Sequence, residues 1–354
     1  MSKFWSPAVN DLSPYVPGEQ PKTQGITKLN TNENPYPPSP AVEAAVNSFD
    51  QARLRLYPDP ESSQLTQALA EHFDLATEQV FVGNGSDEVL ALAFMAFFRQ
   101  SDAILFPEIT YSFYDVYCGL YNIDYKKVPL TDTFAIDPAD YQQTNGGIIL
   151  ANPNAPTGKA LPLSDIEALL KGNPERVVII DEAYVDFGAE SAATLVNTYD
   201  NLLVIQTFSK SRSLAGIRVG YALGHPALID GLSRVKNSFN SYPLDMFAQT
   251  CAVASLGDQA YFKEKVQAII DTREWTHNAL TELGFKCIES KANFIFCEHR
   301  FLEGAEVMGY LRSKNLLVRH FSKPGIDNFL RITIGTPAEM ALLVNTLKAH
   351  PDLA

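Results

Sequence analysis

The stretch RVVIIDEAYVDF, residues 176–187, contains four consecutive apolar residues, and the carboxylate of Asp181 follows them directly. Short runs rich in isoleucine, valine and leucine recur at three other places, residues 103–106, 147–151 and 202–206. Continuous apolar runs of this length are typical of strands buried on both faces of a largely parallel sheet. Helical patterns lie between these runs. The sequence therefore predicts an α/β fold with a mixed, mostly parallel sheet flanked by helices.

The order of the predicted elements divides the chain into three parts. Residues 1–40 are rich in proline and asparagine, and we expect a non-helical arm packed on the rest of the protein. Residues 41–245 contain the alternating strands and helices and form the predicted large domain. Residues 246–354 combine a long helix with later strands. They predict a smaller α+β domain, which part of the arm joins.

Composition and charge exclude several classes of protein. The 354 residues include 28 basic and 41 acidic side chains, a net charge of −13, which disfavours nucleic acid and anionic lipid as partners. The longest apolar run, Val89–Phe98, is about half the length of a membrane span. The four cysteines are widely spaced, and the histidines form no metal-binding motif. We expect a soluble cytoplasmic protein without a signal peptide, a membrane segment or a metal site.

Two strand ends carry residues with catalytic potential. Asp181 follows a buried strand, where α/β sheets bind ligands, and its carboxylate needs a cation or several donors there. A structural role as a helix cap or in an ion pair is equally compatible with its position, and Tyr184 could be a core residue. Lys210 follows the run at 202–206, and a lysine in such a place can attack carbonyl groups. Arg218 offers a planar fork for a phosphate. An ordinary serine-rich loop with two cations is the alternative.

Two further turns follow predicted strands. In FVGNGSDEV, residues 81–89, a strand passes through glycines into a helix that Ser86 is expected to cap. Glu88 stands where a dinucleotide fingerprint needs its third glycine, so we expect one phosphate bound by the backbone amides of Gly85, Ser86 and Asp87. The acidic pair at 87–88 also suits the positive end of a helix without any ligand. In ANPNAPTGK, residues 151–159, a rigid turn presents asparagine amides toward the same sheet edge.

Taken together, these segments resemble the fold-type-I aminotransferases that use pyridoxal 5′-phosphate (PLP). The resemblance extends from about residue 12 to the end of the chain and is greatest to the histidinol-phosphate aminotransferase branch. Five motifs carry it: LNTNENPYPPSP in the arm, LYPDP around Tyr57, GNGSDEVL, SKSRSLAGIRVGY and the late LRITIGT.

The resemblance implies a role for each central residue. Lys210 would hold the cofactor aldehyde as a Schiff base and then act as general base and acid. Asp181 would pair with the pyridine nitrogen, which gives its carboxylate the partner that burial requires. Tyr184 would hydrogen-bond the ring hydroxyl, and Tyr111 would stack on the ring face.

The resemblance also implies how the phosphate of the cofactor and the anionic end of the substrate are bound. Tyr57 would reach the cofactor phosphate of the neighbouring subunit, so a homodimer is expected. Arg331 would grip the anionic end of the substrate, with Arg319 beside it, although Arg319 could equally be a surface strand residue. Tyr15 and Asn32 of the arm would close over the substrate. The cofactor phosphate would be held by Gly85, Ser86, Asp87, Thr207, Ser209 and Arg218.

One position departs from the family pattern. The family commonly has an asparagine directly before Pro-Thr-Gly, and that residue bonds the ring hydroxyl. Here the position is Ala155. Either Asn154 reaches the same oxygen from the preceding position, or Tyr184 makes the contact alone. We expect the contact from Asn154.

The expected reaction is transfer of the amino group of histidinol phosphate to 2-oxoglutarate. An aromatic amino acid aminotransferase is the nearest alternative on the same scaffold. A decarboxylase of phosphorylated threonine and a non-catalytic PLP-binding module are more distant ones.

Overall fold

The computed structural model describes residues 2–22 and 25–352. Its strands are β1 (Thr27–Leu29), β2 (Val80–Gly83), β3 (Ile104–Pro107), β4 (Tyr125–Val128), β5 (Ile148–Ala151), β6 (Val178–Asp181), β7 (Leu202–Thr207), β8 (Gly220–Gly224), β9 (Phe285–Ile288), β10 (Phe294–His299), β11 (Leu316–His320) and β12 (Leu330–Thr333). Its helices are α1 (Pro7–Asn10), α2 (Pro40–Ser48), α3 (Ser63–Phe73), α4 (Gly85–Phe97), α5 (Phe113–Tyr121), α6 (Leu163–Gly172), α7 (Pro226–Phe239), α8 (Met246–Gly257), α9 (Gln259–Glu282), α10 (Gly304–Ser313) and α11 (Pro337–Lys348). Over the described residues, none of these helices is both long and apolar enough to span a bilayer.

Seven strands form the larger sheet, in the order β2-β8-β7-β6-β5-β3-β4. The pairs from β4 across to β7 are parallel, whereas β8 runs antiparallel to both of its neighbours. This confirms the predicted α/β fold with a mixed, mostly parallel sheet. Because β5, β6 and β7 are parallel and in register, Ala151, Asp181 and Ile205 lie side by side at one edge.

The apolar runs are continuous because both faces of this sheet are covered. Ile179 and Leu203 point into one apolar core, and Ile180 and Val204 point into a second core on the opposite face. A residue on either face is therefore shielded from water, and the usual alternation of polar and apolar residues is lost.

Five strands form the smaller sheet, in the order β1-β11-β12-β10-β9. Its apolar core also takes side chains from α9 and α11, such as Ile269 and Leu343. Strand β1 comes from the arm and pairs in parallel with β11. The division at residues 1–40, 41–245 and 246–354 stays a prediction.

Two local expectations were wrong. The arm contains the short helix α1, which tolerates Pro7 at its first position because the missing N–H has no partner there in any helix. Helix α4 begins at Gly85, and Asn84 rather than Ser86 is its N-cap. The Glu88 carboxylate accepts the Asn84 N–H at 2.6 Å, which starts the helix one turn before Glu88. Ser86 therefore belongs to the first helical turn.

Candidate active site

A cavity of about 260 Å³ lies at the carboxyl ends of β5, β6 and β7, beneath the arm. Residues from the arm, from both sheets and from the first turn of α4 line it. Most of the predicted site residues are among them, namely Tyr15, Asn32, Ser86, Asp87, Tyr111, Asp181, Tyr184, Thr207, Ser209, Lys210, Arg218, Arg319 and Arg331.

Asp181 is the buried acid of this cavity. Its side chain is only 5% exposed, and within the described residues it has no ion-pair partner. Its carboxylate accepts the Tyr114 hydroxyl at 2.9 Å and the Ala183 N–H at 3.3 Å. Burial raises the pKa of Asp181 to about 6, against these two donors, which lower it. The site thus presents a costly carboxylate that a cationic ligand would stabilise.

Lys210 and Tyr184 face each other across the cavity floor. The Lys210 amine lies 5.6 Å from the centre of the Tyr184 ring and donates to the Thr31 carbonyl of the arm at 3.4 Å. The Tyr184 hydroxyl accepts the side-chain amide of Asn32 at 2.9 Å. The arm therefore contacts two of the three candidate catalytic residues.

The first turn of α4 and Arg218 form an anion cradle. Gly85 has a φ of +81°, which favours glycine, and a Cβ there would stand 2.6 Å from the Arg218 guanidinium, so glycine also leaves room for the arginine beside the helix start. Arg218 donates to the Asp87 carboxylate at 3.0 Å and to the Ser209 hydroxyl at 3.4 Å. The Asp87 carboxylate also accepts the Tyr111 hydroxyl at 2.9 Å. Unpaired N–H groups at a helix start and a guanidinium are groups that bind phosphate.

Two arginines approach the opposite side of the cavity. Arg331 is half-buried and donates to the Asn30 carbonyl at 3.0 Å, while its Nε has no hydrogen-bond partner in the described part of the chain. Burial lowers the pKa of Arg331, and the nearby charge of Arg319 lowers it further. Neither guanidinium is paired with a carboxylate of the described residues. Two uncompensated cations make this side a site for an anion.

Two arm residues close this side of the cavity. Tyr15 stacks on Phe113 at the start of α5, with ring centres 4.5 Å apart. Asn32 is buried and bonded to Thr333 through its backbone N–H and its side-chain oxygen. The arm is thus attached to α5 and to β12 at the cavity.

Asn154 and Tyr57 do not line the cavity. The Asn154 amide nitrogen donates to the Ile109 carbonyl and the Thr157 hydroxyl, and its oxygen accepts the Thr110 hydroxyl, so the side chain joins its own turn to the loop after β3. The expectation that Asn154 replaces the family asparagine is therefore not supported by this geometry. Tyr57 is 81% exposed and stacks on a second tyrosine.

Two residues that touch the site were missed by sequence reasoning. Tyr114 lies three residues after Tyr111 and was given no role from the sequence, although its hydroxyl donates to Asp181. Asn34 belongs to the same arm motif as Asn32, but only its contacts with the loop after β7 show what it touches. A buried carboxylate without a predicted donor was the one signal that could have pointed to Tyr114.

Comparison with known proteins identifies the family. The model of the family "Aminotransferase class I and II" matches residues 24–347. The chain belongs to this aminotransferase family. Histidinol-phosphate aminotransferase 2 of Dechloromonas aromatica is 58% identical over 352 residues, covering 98% of this chain and 99% of that protein. The histidinol-phosphate aminotransferase of Acinetobacter baylyi is 60% identical over 349 residues, covering 98% of this chain and 97% of that protein. The predicted branch of the aminotransferases is confirmed.

Solved aminotransferase structures share the fold. The histidinol-phosphate aminotransferase of Sinorhizobium meliloti, solved in complex with pyridoxal 5′-phosphate, superposes with a TM-score of 0.88 at 23% identity over 100% of this chain and 98% of that one. The enzyme of the same name from Clostridium acetobutylicum gives 0.84 at 22% identity, over 91% and 98% of the two chains. At these identities the likeness concerns the fold, and it confirms the fold-type-I architecture.

Proposed function

We propose that this chain is a PLP-dependent aminotransferase that transfers the amino group of L-histidinol phosphate to 2-oxoglutarate. The products are imidazole acetol phosphate and L-glutamate, and the reaction belongs to histidine biosynthesis. The observation that carries the proposal is one cavity in which a lysine, a buried acid and two uncompensated arginines meet. The names of the relatives that are 58% and 60% identical support the choice of substrate.

The residues of the cavity fit PLP at both of its charged ends. Asp181 supplies a buried carboxylate that needs a cation, as a protonated pyridine nitrogen would be. The first turn of α4, Arg218 and the hydroxyls of Thr207 and Ser209 supply donors for a phosphate. When bound, PLP supplies an electron sink for the electrons that are released at the substrate Cα.

Each of the side chains around the cofactor site has its own role in the reaction. Lys210 would hold the cofactor covalently, and its Nζ takes the proton from the substrate Cα and later returns it. Asp181 would keep the ring nitrogen protonated. Tyr184 would donate its hydroxyl proton to the ring oxygen, and Asn32 fixes that hydroxyl by donating to it at 2.9 Å.

The two arginines explain how one pocket can serve two substrates. Arg331 and Arg319 present planar guanidinium groups, which bind a phosphate ester and a carboxylate equally well through paired hydrogen bonds. Arg331 is held by the Asn30 carbonyl, so its unpartnered Nε is already oriented before a ligand arrives. Histidinol phosphate and glutamate can therefore use the same anion site in turn.

Steady-state kinetics with matched amino donors tests the proposal. With 2-oxoglutarate as acceptor, we expect kcat/KM for histidinol phosphate to exceed that for histidinol by about 10- to 100-fold, because charge-assisted hydrogen bonds contribute about 1.5–3 kcal/mol. A preference for phenylalanine would instead identify an aromatic amino acid aminotransferase. Release of carbon dioxide from threonine phosphate would identify a decarboxylase.

The pH dependence of PLP binding tests the role of Asp181. Since the pKa of this acid is about 6, PLP affinity is expected to rise as the pH increases through 6 and the carboxylate ionises. Tyr114→Phe removes a donor that lowers this pKa, so the midpoint moves to higher pH. Titration of the apoenzyme with PLP across pH 5 to 8, roughly the range around the stated pKa, measures the shift. An unchanged midpoint in the variant would contradict the assignment.

A homodimer is part of the proposal. Tyr57 is highly exposed and stacks on Tyr242 at 4.8 Å, and Leu54, Leu56 and Phe239 are exposed as well. Exposed aromatic and aliphatic side chains of this kind are typical of an interface. The resemblance implies that Tyr57 reaches the cofactor phosphate of the partner, and its exposed position outside its own cavity supports this.

A cytoplasmic location also remains part of the proposal. All four cysteines are free thiols. Cys287 and Cys297 are directly opposite each other on β9 and β10 and are nevertheless not joined. Reduced thiols are the normal state in a reducing compartment.

A further inference from the structure

The arm segment 31–34, with the sequence TNEN, contacts the catalytic residues at three points. The Thr31 carbonyl accepts the Lys210 amine, and the Asn32 amide donates to Tyr184. The Asn34 side-chain amide donates to the backbone carbonyls of Lys210 at 3.0 Å and Ser211 at 3.2 Å. The third contact is the one that holds the main chain of the lysine itself.

Asn34 is itself fixed in place. Its side-chain oxygen accepts the N–H of Tyr36 at 3.0 Å, which closes a local turn and determines which way the amide nitrogen points. The start of the same segment is anchored through Asn32, whose carbonyl accepts the Asn293 amide at 3.1 Å. The amide therefore reaches the loop after β7 from a rigid base in a part of the chain 176 positions away.

The loop that carries Lys210 has no regular structure of its own to hold it. Strand β7 ends at Thr207, and the Lys210 carbonyl has one further bond in its own loop, from the Ser213 N–H at 3.3 Å. The position of Lys210 Nζ depends on this main chain, since a displacement of the lysine Cα is passed along the side chain. A base displaced by about 1 Å can lose about 10²-fold in rate.

We propose that Asn34 is a positioning residue, which holds the main chain of Lys210 so that its amine reaches the substrate Cα proton. The inference rests on the proposed function of Lys210. Asn34 does not line the cavity, so it acts on proton transfer through the lysine and not on substrate binding.

The simplest competing explanation is that Asn34 only stabilises the fold. Asn201 provides a matched control, because its buried amide donates to the carbonyls of Leu170, Asn173 and Arg176 at 3.2, 2.9 and 3.3 Å. It lies directly before β7, at the end of the strand remote from Lys210. Asn201→Asp thus removes comparable bonds without touching the catalytic loop.

The test compares Asn34→Asp with Asn201→Asp in the holoenzyme and in the apoenzyme. In Asn34→Asp we expect kcat to fall by about 10- to 100-fold, with KM for the amino donor little changed. The kinetic isotope effect from α-deuterated donor should increase, because proton transfer becomes slower relative to other steps. In the apoenzyme, hydrogen exchange of the peptide spanning residues 208–213 should be faster in Asn34→Asp than in the wild type. Asn201→Asp should lower the melting temperature but leave kcat and the isotope effect as in the wild type.

Three results would overturn the proposal: an unchanged kcat in Asn34→Asp, an unchanged isotope effect, or an equal loss of kcat in both variants. If Asn34→Asp does not fold, Asn34→Ala removes the amide without adding a charge and decides the same question. Hydrogen exchange in the apoenzyme is measured without turnover. It therefore tests this inference even if the wild type does not catalyse the proposed reaction, and the two failures can be told apart.

Discussion

With Lys210 replaced by alanine, we expect kcat to fall by about 10⁴-fold or more, because a positioned base contributes up to about 10⁴-fold and the covalent bond to the cofactor is lost as well. The protein should still fold, since the Lys210 side chain makes a single hydrogen bond, to the Thr31 carbonyl. Steady-state turnover, visible absorbance and borohydride reduction followed by peptide mapping measure the effect.

Lys236→Ala is a suitable control for this variant. The Lys236 amine is also largely buried and donates to a main-chain carbonyl, that of Pro60 at 2.8 Å, but it lies outside the cavity. We expect this variant to keep the reducible linkage to PLP. An undiminished linkage in Lys210→Ala would show that a different amine carries the cofactor.

Replacing Asp181 with asparagine is expected to have the second largest effect. Breaking a buried ion pair on one side costs about 3–5 kcal/mol, which corresponds to about 10²- to 10⁴-fold in kcat/KM. The amide is nearly isosteric but cannot keep a pyridine nitrogen protonated. PLP affinity of the apoenzyme should fall together with turnover, and both are measured by titration and by steady-state kinetics.

The neighbouring acid supplies the control for Asp181. Glu182 is equally buried, and burial raises its pKa to about 7. Its carboxylate is bound by Ser191, the Ala192 N–H and Gln206, away from the cavity. Glu182→Gln should therefore lower the stability of the fold but leave the affinity for PLP unchanged. If both variants lost PLP alike, the specific pairing of Asp181 with the cofactor would be refuted.

The central strands and the residues that follow them could be predicted from the sequence. Runs such as VVII and LLVI are unambiguous because they are buried on both faces, and parallel strands bring their carboxyl ends to one edge. Asp181 and Lys210 follow two adjacent strands of this kind, so their approach to a common cavity followed from topology alone.

The rest depended on contacts that leave no periodic signal. Strand β4, with the sequence YKKV, is an exposed edge strand, and β8 begins and ends with glycine, so neither has a typical apolar run. The hydrogen bonds of Tyr114 and Asn34 join residues that are 67 and 176 positions apart. The role expected of Asn154 is not supported by its contacts, because its amide is already bonded to Ile109, Thr110 and Thr157.

The pairing of β1 with β11 has a consequence for synthesis on the ribosome. Strand β1 is made among the first residues, yet the strand it pairs with, β11, lies at Leu316–His320. The seven strands of the larger sheet can assemble as soon as residue 224 has emerged, whereas TNEN cannot dock beside Lys210 in its final position until the last tenth of translation. While residues 225–320 are being added, the nascent enzyme therefore carries an open, incomplete catalytic centre.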